Sequence, residues 1–298
     1  MSHIALAGSA APPKGRRPAT RSFWRNVLRR LMRDPVTMTC LAILALIVLA
    51  AIFAPLIAPH DPYRTSMARR LIAPGDARYW LGTDELGRDL LSRLIYGGRL
   101  ALFTGFTPVL LATVIGGFLG IVAGYVGGAV NMAIMRVIDI FYAFPSVLLA
   151  VAISGVLGAG IGNTIFSLTL VFIPPMARVA ESVATQMRAQ DFVEAARATG
   201  ASGWRIVSAH VVPNVTGPIL SYASSLISVS IVLASGLSFL GLGITPPEPE
   251  WGLMLNTLRQ AIYVAPVNAV IPGVMIFVTS MCFNLMSDGL RTAMDVKQ

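Results

Sequence analysis

The chain has 298 residues, of which 55% are hydrophobic and 12% are charged, and its mean hydropathy is +0.71. A soluble domain carries about 25% charged residues, so the composition excludes an ordinary soluble protein and predicts a polytopic membrane protein. The formal net charge is +9. Nucleic acid is not an expected partner, because the basic residues flank apolar runs and form no stripe with interleaved aromatic residues.

The sequence offers no catalytic or metal-binding motif. Cys40 and Cys282 both lie in apolar segments, and the histidines, at positions 3, 60 and 210, lack the spacing of a metal site. There is no GxSxG, HExxH or GxxxxGK[ST] motif. We therefore expect this chain to have no enzymatic activity and to bind no cofactor, ATP or metal itself.

The N-terminal region is expected to have three parts. Residues 1–20 are rich in Ala, Pro, Gly and Arg and predict a disordered tail. Residues 21–34 repeat arginine at every fourth position opposite an apolar face, which predicts an amphipathic helix lying on membrane lipid. The first transmembrane helix is predicted at residues 35–60. It is a retained anchor, because its apolar run of 21 residues is longer than the roughly 7–15 residues of a signal-peptide core.

Stretches without charged residues locate the other spans, because an ionisable group at the bilayer centre costs about 2.5–3.5 kcal/mol. These stretches are residues 100–135, 140–177, 206–247 and 260–287. The second of them is too long for one span, so we predict a break at residues 158–163 and a third span that begins before Arg136. The next stretch is predicted to break at Pro213, which leaves a fifth span at residues 217–242.

The prediction is an all-α membrane protein with six transmembrane helices, whose core is residues 100–290. Residues 61–99 form the loop after the first span, and residues 291–298 form a tail. The side that carries both termini holds 15 Lys and Arg residues, against 8 on the other side. The positive-inside rule therefore places both termini in the cytoplasm and the 61–99 loop outside it.

The most informative segment is the connection at residues 187–214. A short helix is predicted from Asp191 to Thr199, with Asp191 as its cap or as a partner of the helix dipole, Glu194 placed as in a capping box and Gly200 as the left-handed residue that ends it. A second short helix is predicted from Ser202 to His210, ended by Pro213.

The same segment has the composition of a docking element. Ala195, Ala196 and Gly200 leave the backbone bare, so that a partner surface can approach it closely. Phe192 and Trp204 can serve as apolar anchors for that partner.

The sequence EAARATG, followed nine residues later by HVVP, resembles the EAA loop of binding-protein-dependent ABC importer permeases. The matching residues are Glu194, Ala195, Ala196, Gly200 and Pro213. The resemblance implies a type I importer permease fold, in which this loop is a coupling helix held in a groove of a cytoplasmic ATPase subunit. The general ending is Ile-x-Leu-Pro. This chain departs from it at two positions and is similar to the His-x-Leu-Pro-Asn ending of the peptide subfamily.

A second segment, LGTDELGRDLLSRLIYGGR at Leu81–Arg99, resembles the corresponding segment of the dipeptide, oligopeptide and nickel permease group. From the residues alone it predicts a capped extracytoplasmic helix that ends at Gly97 or Gly98, with an Asp89–Arg93 pair one turn apart. Within that group the chain is most similar to the C-type permease subunit. The role of the segment stays open.

The resemblance also implies the partners. These are a second permease subunit in a heterodimer, two cytoplasmic ATPase subunits that bind ATP and Mg, and an extracytoplasmic substrate-binding protein, all at a bacterial inner membrane. Dipeptides or oligopeptides are the first expectation for the solute, and nickel, glutathione or sugars are alternatives. A secondary transporter without ATPase partners is the alternative from another class, although the sequence shows no repeats or midplane charges of that class.

Polar groups at membrane depth are candidates for a pathway or gate. They are Arg136, Asp139, Asn163 and Asn284. Arg136 and Asp139 are three residues apart and are predicted to pair on one helix face.

Two further patterns concern the shape and packing of the spans. Pro174 and Pro175 are predicted to kink the fourth span. Gly116, Gly120 and Gly124 form a GxxxG-like face that predicts close helix contact.

Overall fold

A computed structural model describes residues 27–294, and within that range the chain is helical without strands. A single isolated β-bridge joins Thr83 and Asp89. The α-helices of this range are α1 (Pro35–Ile52), α2 (Ala54–Ile57), α3 (Leu90–Val126), α4 (Gly128–Tyr142), α5 (Ser146–Leu157), α6 (Ile161–Arg188), α7 (Asp191–Ala198), α8 (Gly203–Ile206), α9 (Val212–Phe239), α10 (Trp251–Leu258) and α11 (Pro266–Met294). The all-α prediction is confirmed.

The predicted tail at residues 1–20 lies outside the described residues, as do residues 21–26 of the amphipathic helix and the last four residues of the 291–298 tail. Residues 27–31 are helical. The Asp34 carboxylate then accepts hydrogen bonds from the backbone N–H groups of Val36 (3.3 Å) and Thr37 (3.2 Å), and so starts α1.

Five helices of the described range are long and apolar enough to cross a membrane: α1, α3, α6, the continuous helix at Gly203–Phe239, and α11. The pair α4 and α5 passes the same test together, with a bend of 83° between the two helices. Counted as one broken span, this pair gives the sixth crossing that the sequence predicts.

The third span has a break that the sequence analysis did not predict, because α4 ends at Tyr142 and α5 begins at Ser146. The cause is Pro145, which has no N–H to donate and disfavours helical backbone at Phe144. The break predicted between the third and fourth spans is present. There Gly158 and Gly160 adopt the positive φ angles +84° and +147°.

The break predicted at Pro213 was wrong. The helix runs without interruption from Gly203 to Phe239, so the second short helix of the connection continues directly into the fifth span. A π-helical turn at Val207–Val211 precedes Pro213, and the N–H of Val212 bonds to the carbonyl of Val207. Pro213 then falls in the first turn of α9, where the turn before it supplies no regular α-helical acceptor and the missing N–H is tolerated.

The helix predicted within Leu81–Arg99 is not separate. It begins at Leu90, where Asp89 accepts the N–H of Ser92 at 3.1 Å, and it continues through Gly97 and Gly98 as the start of α3. These glycines do not end a helix. A Cβ at Gly97 would lie 2.7 Å from the carbonyl oxygen of Pro249. The missing side chain of Gly97 therefore leaves room for the segment that leads into α10.

The most extensive contact between two helices of the described residues is that of α3 with α6, and it includes the predicted glycine face. A Cβ at Gly116, Gly120 or Gly124 would lie 2.7, 2.3 or 2.5 Å from a backbone carbonyl oxygen of α6. The predicted close contact is confirmed. It allows the two backbones to touch, as small residues do between membrane helices.

The start of α1 and the end of α11 lie at the same end of the molecule as α7. Gly289 of α11 lies against Thr37 of α1, and Gly217, near the start of α9, lies against Met294. The opposite end carries the 58–89 loop and α10. There Asn268 donates to the carbonyl oxygens of Ile72 (2.8 Å) and Thr83 (2.9 Å).

Candidate coupling site

The α7–α8 hairpin ends its first helix at Gly200, as predicted. Gly200 has φ +80°. Its N–H bonds to the Arg197 carbonyl at 3.1 Å, and the N–H of Ala201 reaches back to the Ala196 carbonyl at 3.1 Å. These two bonds form a Schellman motif, which a left-handed glycine commonly completes. The motif fixes the direction in which the chain enters α8.

The predicted capping box is not formed. The capping residue of α7 is Gln190, without a side-chain hydrogen bond, and Asp191 and Glu194 both fall inside the first turn. Because the capping residue is Gln190 and not Asp191, the Glu194 carboxylate occupies the fourth position of the helix and is not placed to complete the box. Both acids still lie near the positive end of the helix dipole.

Three buried apolar residues pack the hairpin against the helical bundle. Val193, Ile206 and Val211 are 0%, 1% and 0% exposed, and all three belong to the main hydrophobic core. Their role was not predicted from the sequence. Each has an apolar neighbour in the sequence, Phe192, Val207 and Val212 respectively, and in so short a segment helical periodicity gives little signal for which of the two is buried.

The opposite face of the hairpin is open. Trp204 is 78% exposed and Phe192 is 44% exposed. The Phe192 ring centroid lies 6.2 Å from that of His210, so the exposed aromatic group has a fixed neighbour. The other predicted residues are distributed as follows: Asp191, Glu194, Ala195, Gly200 and Pro213 are exposed, and Ala196 is half-buried.

The ends of α3 and α6 hold the hairpin in place. The Arg188 guanidinium donates to the carbonyl of Val126 at 3.0 Å. Gly203 packs near Tyr125, because a Cβ added at Gly203 would lie 3.6 Å from the Tyr125 hydroxyl. The hairpin therefore has a packed inner face and an outer face that carries aromatic, small and charged residues.

The predicted pairing of Arg136 with Asp139 was wrong. Asp139 accepts a hydrogen bond from Arg178 of α6 instead, and Arg136 is exposed. Asn163 bonds to the carbonyls of Leu157 (2.9 Å) and Gly158 (3.1 Å), so it stabilises the turn between α5 and α6. Asn284 is exposed on α11. The structure therefore does not bring the four predicted pathway residues together.

At the opposite end, the Leu81–Arg99 segment contains a buried ionic cluster. Asp84 pairs with Arg88 (2.6 Å) and Arg93 (3.3 Å), and each of these side chains is at most 5% exposed. The predicted Asp89–Arg93 pair is not present; Asp89 lies 3.3 Å from the His60 ring nitrogen instead.

Glu85 borders this cluster. Burial raises its pKa, and the neighbouring Asp84 carboxylate adds to the increase. These contacts join residues of the Leu81–Arg99 segment to one another and, through His60, to the chain that follows α2.

The described residues form a polytopic helical bundle with an 83° break in one span. A helical hairpin lies at the end where α1 begins and α11 ends. This is the architecture of a membrane transport permease. Residues 116–297 match the binding-protein-dependent transport system inner membrane component. Residues 22–74 match the N-terminal TM domain of oligopeptide transport permease C. The chain belongs to the family of binding-protein-dependent transport system inner membrane components.

Relatives extend this assignment over nearly the whole chain. The glutathione transport system permease protein GsiD of Pectobacterium atrosepticum is 38% identical over 288 residues, which cover 97% of this chain and 96% of that protein. The dipeptide transport system permease protein DppC of Alkalihalophilus pseudofirmus is 39% identical over 289 residues, with 97% and 94% covered. The predicted resemblance to the peptide permease group is confirmed, and the protein is a multi-pass component of the inner membrane.

A solved structure shows the same fold. The MetNI methionine ABC transporter in inward facing conformations matches with a TM-score of 0.56 and 18% identity, covering 68% of this chain and 97% of that one. The type I importer permease fold is thereby confirmed.

Proposed function

We propose that this chain is one permease subunit of an ATP-driven importer that carries peptides across the bacterial inner membrane. In this proposal a second permease subunit completes a heterodimer, and a substrate-binding protein delivers the solute from outside. Two cytoplasmic ATPase subunits bind ATP and Mg and dock on the α7–α8 hairpin. Family membership argues against the alternative of a secondary transporter, because the family acts with binding proteins.

The observation that carries the proposal is that the hairpin has two faces. One packs into the hydrophobic core, and the other exposes aromatic residues. Aromatic residues such as Trp204 and Phe192 are typical anchors of protein interfaces, where they fill pockets of the partner. The charged residues around them, Asp191, Glu194 and Arg205, are exposed and suit the polar rim of an interface.

The topology follows from the same docking. Because α1 begins and α11 ends beside the hairpin, a hairpin that meets cytoplasmic ATPases places both termini in the cytoplasm. We propose the division of the chain accordingly, with residues 35–60 as the first span, 61–99 as the extracytoplasmic loop and 187–214 as the coupling segment in the 100–290 core.

Dipeptides and oligopeptides are the proposed solutes, with glutathione as the second candidate. The relatives of similar identity support both, since one is named for dipeptide transport and the other for glutathione transport. Glutathione is itself a tripeptide, so the two candidates share a free amino group, free carboxylates and amide bonds. Nickel complexes are a weaker alternative.

The test is purification of the tagged chain from its native membrane, mass spectrometry of its partners, and ATPase assay with candidate peptides and the binding protein. Recovery of a second permease and two ATPases, with hydrolysis stimulated by peptide, is the expected result. Trp204→Ala should lose the ATPase subunits during purification. The matched control is Tyr263→Ala, because Tyr263 is 95% exposed outside the hairpin, in the segment between α10 and α11. Equal ATPase recovery with both variants would refute docking through Trp204.

A further inference from the structure

The break in the third span opens onto a cavity of about 310 Å³. Small-molecule pockets are typically about 300–1,000 Å³, so this volume suits a small solute. Its walls come from both sides of the break, from α6 and from α9, and they include Phe141, Tyr142, Phe144, Ser146, Phe172 and Pro174. The walls are largely aromatic and apolar, which suits an apolar side chain.

A pair of opposite charges lies beside this cavity. Asp139 is three residues before the lining residue Tyr142, on the same face of α4. Its hydrogen-bond donor Arg178 comes one turn after Pro174. The Arg178 guanidinium also lies over the Tyr142 ring, 4.9 Å from the ring centroid, which is a cation–π contact. Tyr142 thus joins the charge pair to the cavity wall.

The charge pair is only partly covered by its own chain. The Arg178 side chain is 47% exposed and that of Asp139 is 43% exposed, although both lie within helices of membrane spans. Charged groups inside a membrane protein face other protein groups or a water-filled space rather than lipid. The uncovered side of this pair therefore faces a path or a partner surface.

The cavity also has backbone acceptors. Pro174 and Pro175 lie inside α6 and have no N–H to donate, which leaves the carbonyl groups of Leu170 and Val171 without their regular helical donors. Val171 lines the cavity. Such a carbonyl can accept a hydrogen bond from an amide or ammonium N–H of a bound molecule.

We propose that this cavity is a transient binding site for a small zwitterionic peptide, in which Arg178 receives the carboxylate and Asp139 receives the ammonium group. The aromatic walls receive an apolar side chain. The assignment to peptides rests on the function proposed above. Entry of the zwitterion exchanges one ion pair for two, and the pair that it replaces is partly exposed and hence only weakly stabilising.

The test measures protection of a thiol in the cavity by peptide. Ser146 is an exposed lining residue, whereas the native Cys40 and Cys282 are buried. The assembled importer with Ser146→Cys, in detergent and without its binding protein, is labelled with N-ethylmaleimide. Alanyl-phenylalanine at twice its Kd should slow labelling about threefold by mass action, and the N-acetylated, C-terminally amidated peptide should not slow it.

Two further variants separate binding from packing. In the Ser146→Cys background, Arg178→Gln and Asp139→Asn should each abolish protection by the free dipeptide. Arg136→Gln should retain it, because Arg136 lies exposed on the same helix as Asp139 and does not pair with it. Equal protection by the free and the blocked peptide, or no protection by either, would overturn the site. It would leave the pair as a contact between α4 and α6.

Transport by the reconstituted importer distinguishes the two proposals. Protection without any peptide transport would refute the peptide importer and support the site. Peptide transport without protection would support the importer and refute the site.

Discussion

Replacement of Gly200 by valine tests whether the geometry of the hairpin couples the chain to an ATPase. Gly200 has φ +80°, and an added Cβ would meet nothing within 4 Å. The cost of the substitution is therefore confined to the backbone. The left-handed conformation costs an ordinary L-residue about 1–2 kcal/mol, and a β-branched residue adopts it still less readily. Since about 1.4 kcal/mol is a factor of ten, the native hairpin should lose about 5- to 30-fold in population relative to alternatives.

The expected result is uncoupling. When the Schellman bonds at Ala196 and Arg197 break, α8 leaves α7 in another direction, and Phe192 and Trp204 lose their fixed separation. Solute-stimulated ATPase activity and transport should both fall in reconstituted vesicles, while the amount of chain in the membrane stays constant. Gly200→Asn is the matched control, because asparagine tolerates the left-handed region, and it should keep most activity. Wild-type transport in the valine variant would refute the reasoning.

Three other predictions concern separate parts of the chain. Glu194→Lys should weaken co-purification with the ATPases about tenfold, or about 1.4 kcal/mol, without affecting membrane insertion; normal recovery of the ATPases would contradict this. Gly120→Ala should lower the free energy of unfolding by about 1–3 kcal/mol through overpacking, because its Cβ would lie 2.3 Å from a carbonyl oxygen of α6. Gly117→Ala should not change it in a thermal-unfolding assay, because a Cβ there would meet nothing within 4 Å. Burial raises the pKa of Glu250 above its usual 4.5, so the folded state binds this proton more tightly and stability should fall as the pH rises from 4.5 through the raised pKa. Glu250→Gln should flatten that part of a thermal-unfolding profile against pH, and an unchanged profile would refute the assignment.

Local signals in the sequence predicted much of the fold. Charge-free stretches located the spans because the cost of burying charge in lipid is large and depends on composition alone. Gly200 and the glycine face of α3 were predictable for a related reason, since each depends on a property of glycine itself, its conformational freedom or its lack of a side chain. The family motif identified the hairpin, although the capping residue of its first helix lies one position before the one that the capping pattern indicated.

The other features of the fold could not be predicted, because tertiary packing and neighbouring turns override the local conformational preferences of the sequence. Pro145 lies in an apolar run without charge, so the break at this position left no mark in the hydropathy. At Pro213 a break was predicted and none is present. The π turn at Val207–Val211 precedes it, so the missing N–H of Pro213 is tolerated and the helix continues. The pairing of Asp139 with Arg178 joins residues 39 apart in sequence, and only the packing of α4 on α6 brings them together.

The continuity of the helix through Pro213 links the hairpin to the cavity. Trp204 and the cavity-lining residue Leu226 lie on the same uninterrupted helix, about 33 Å apart at 1.5 Å per residue. A break at Pro213 would have separated them, whereas a continuous helix transmits a tilt along its length. π turns often occur at functional sites, and the turn at Val207–Val211 is the place where such a helix can adjust between the two ends. If an ATPase docks at Trp204 as proposed, its movement reaches the proposed solute site through this helix.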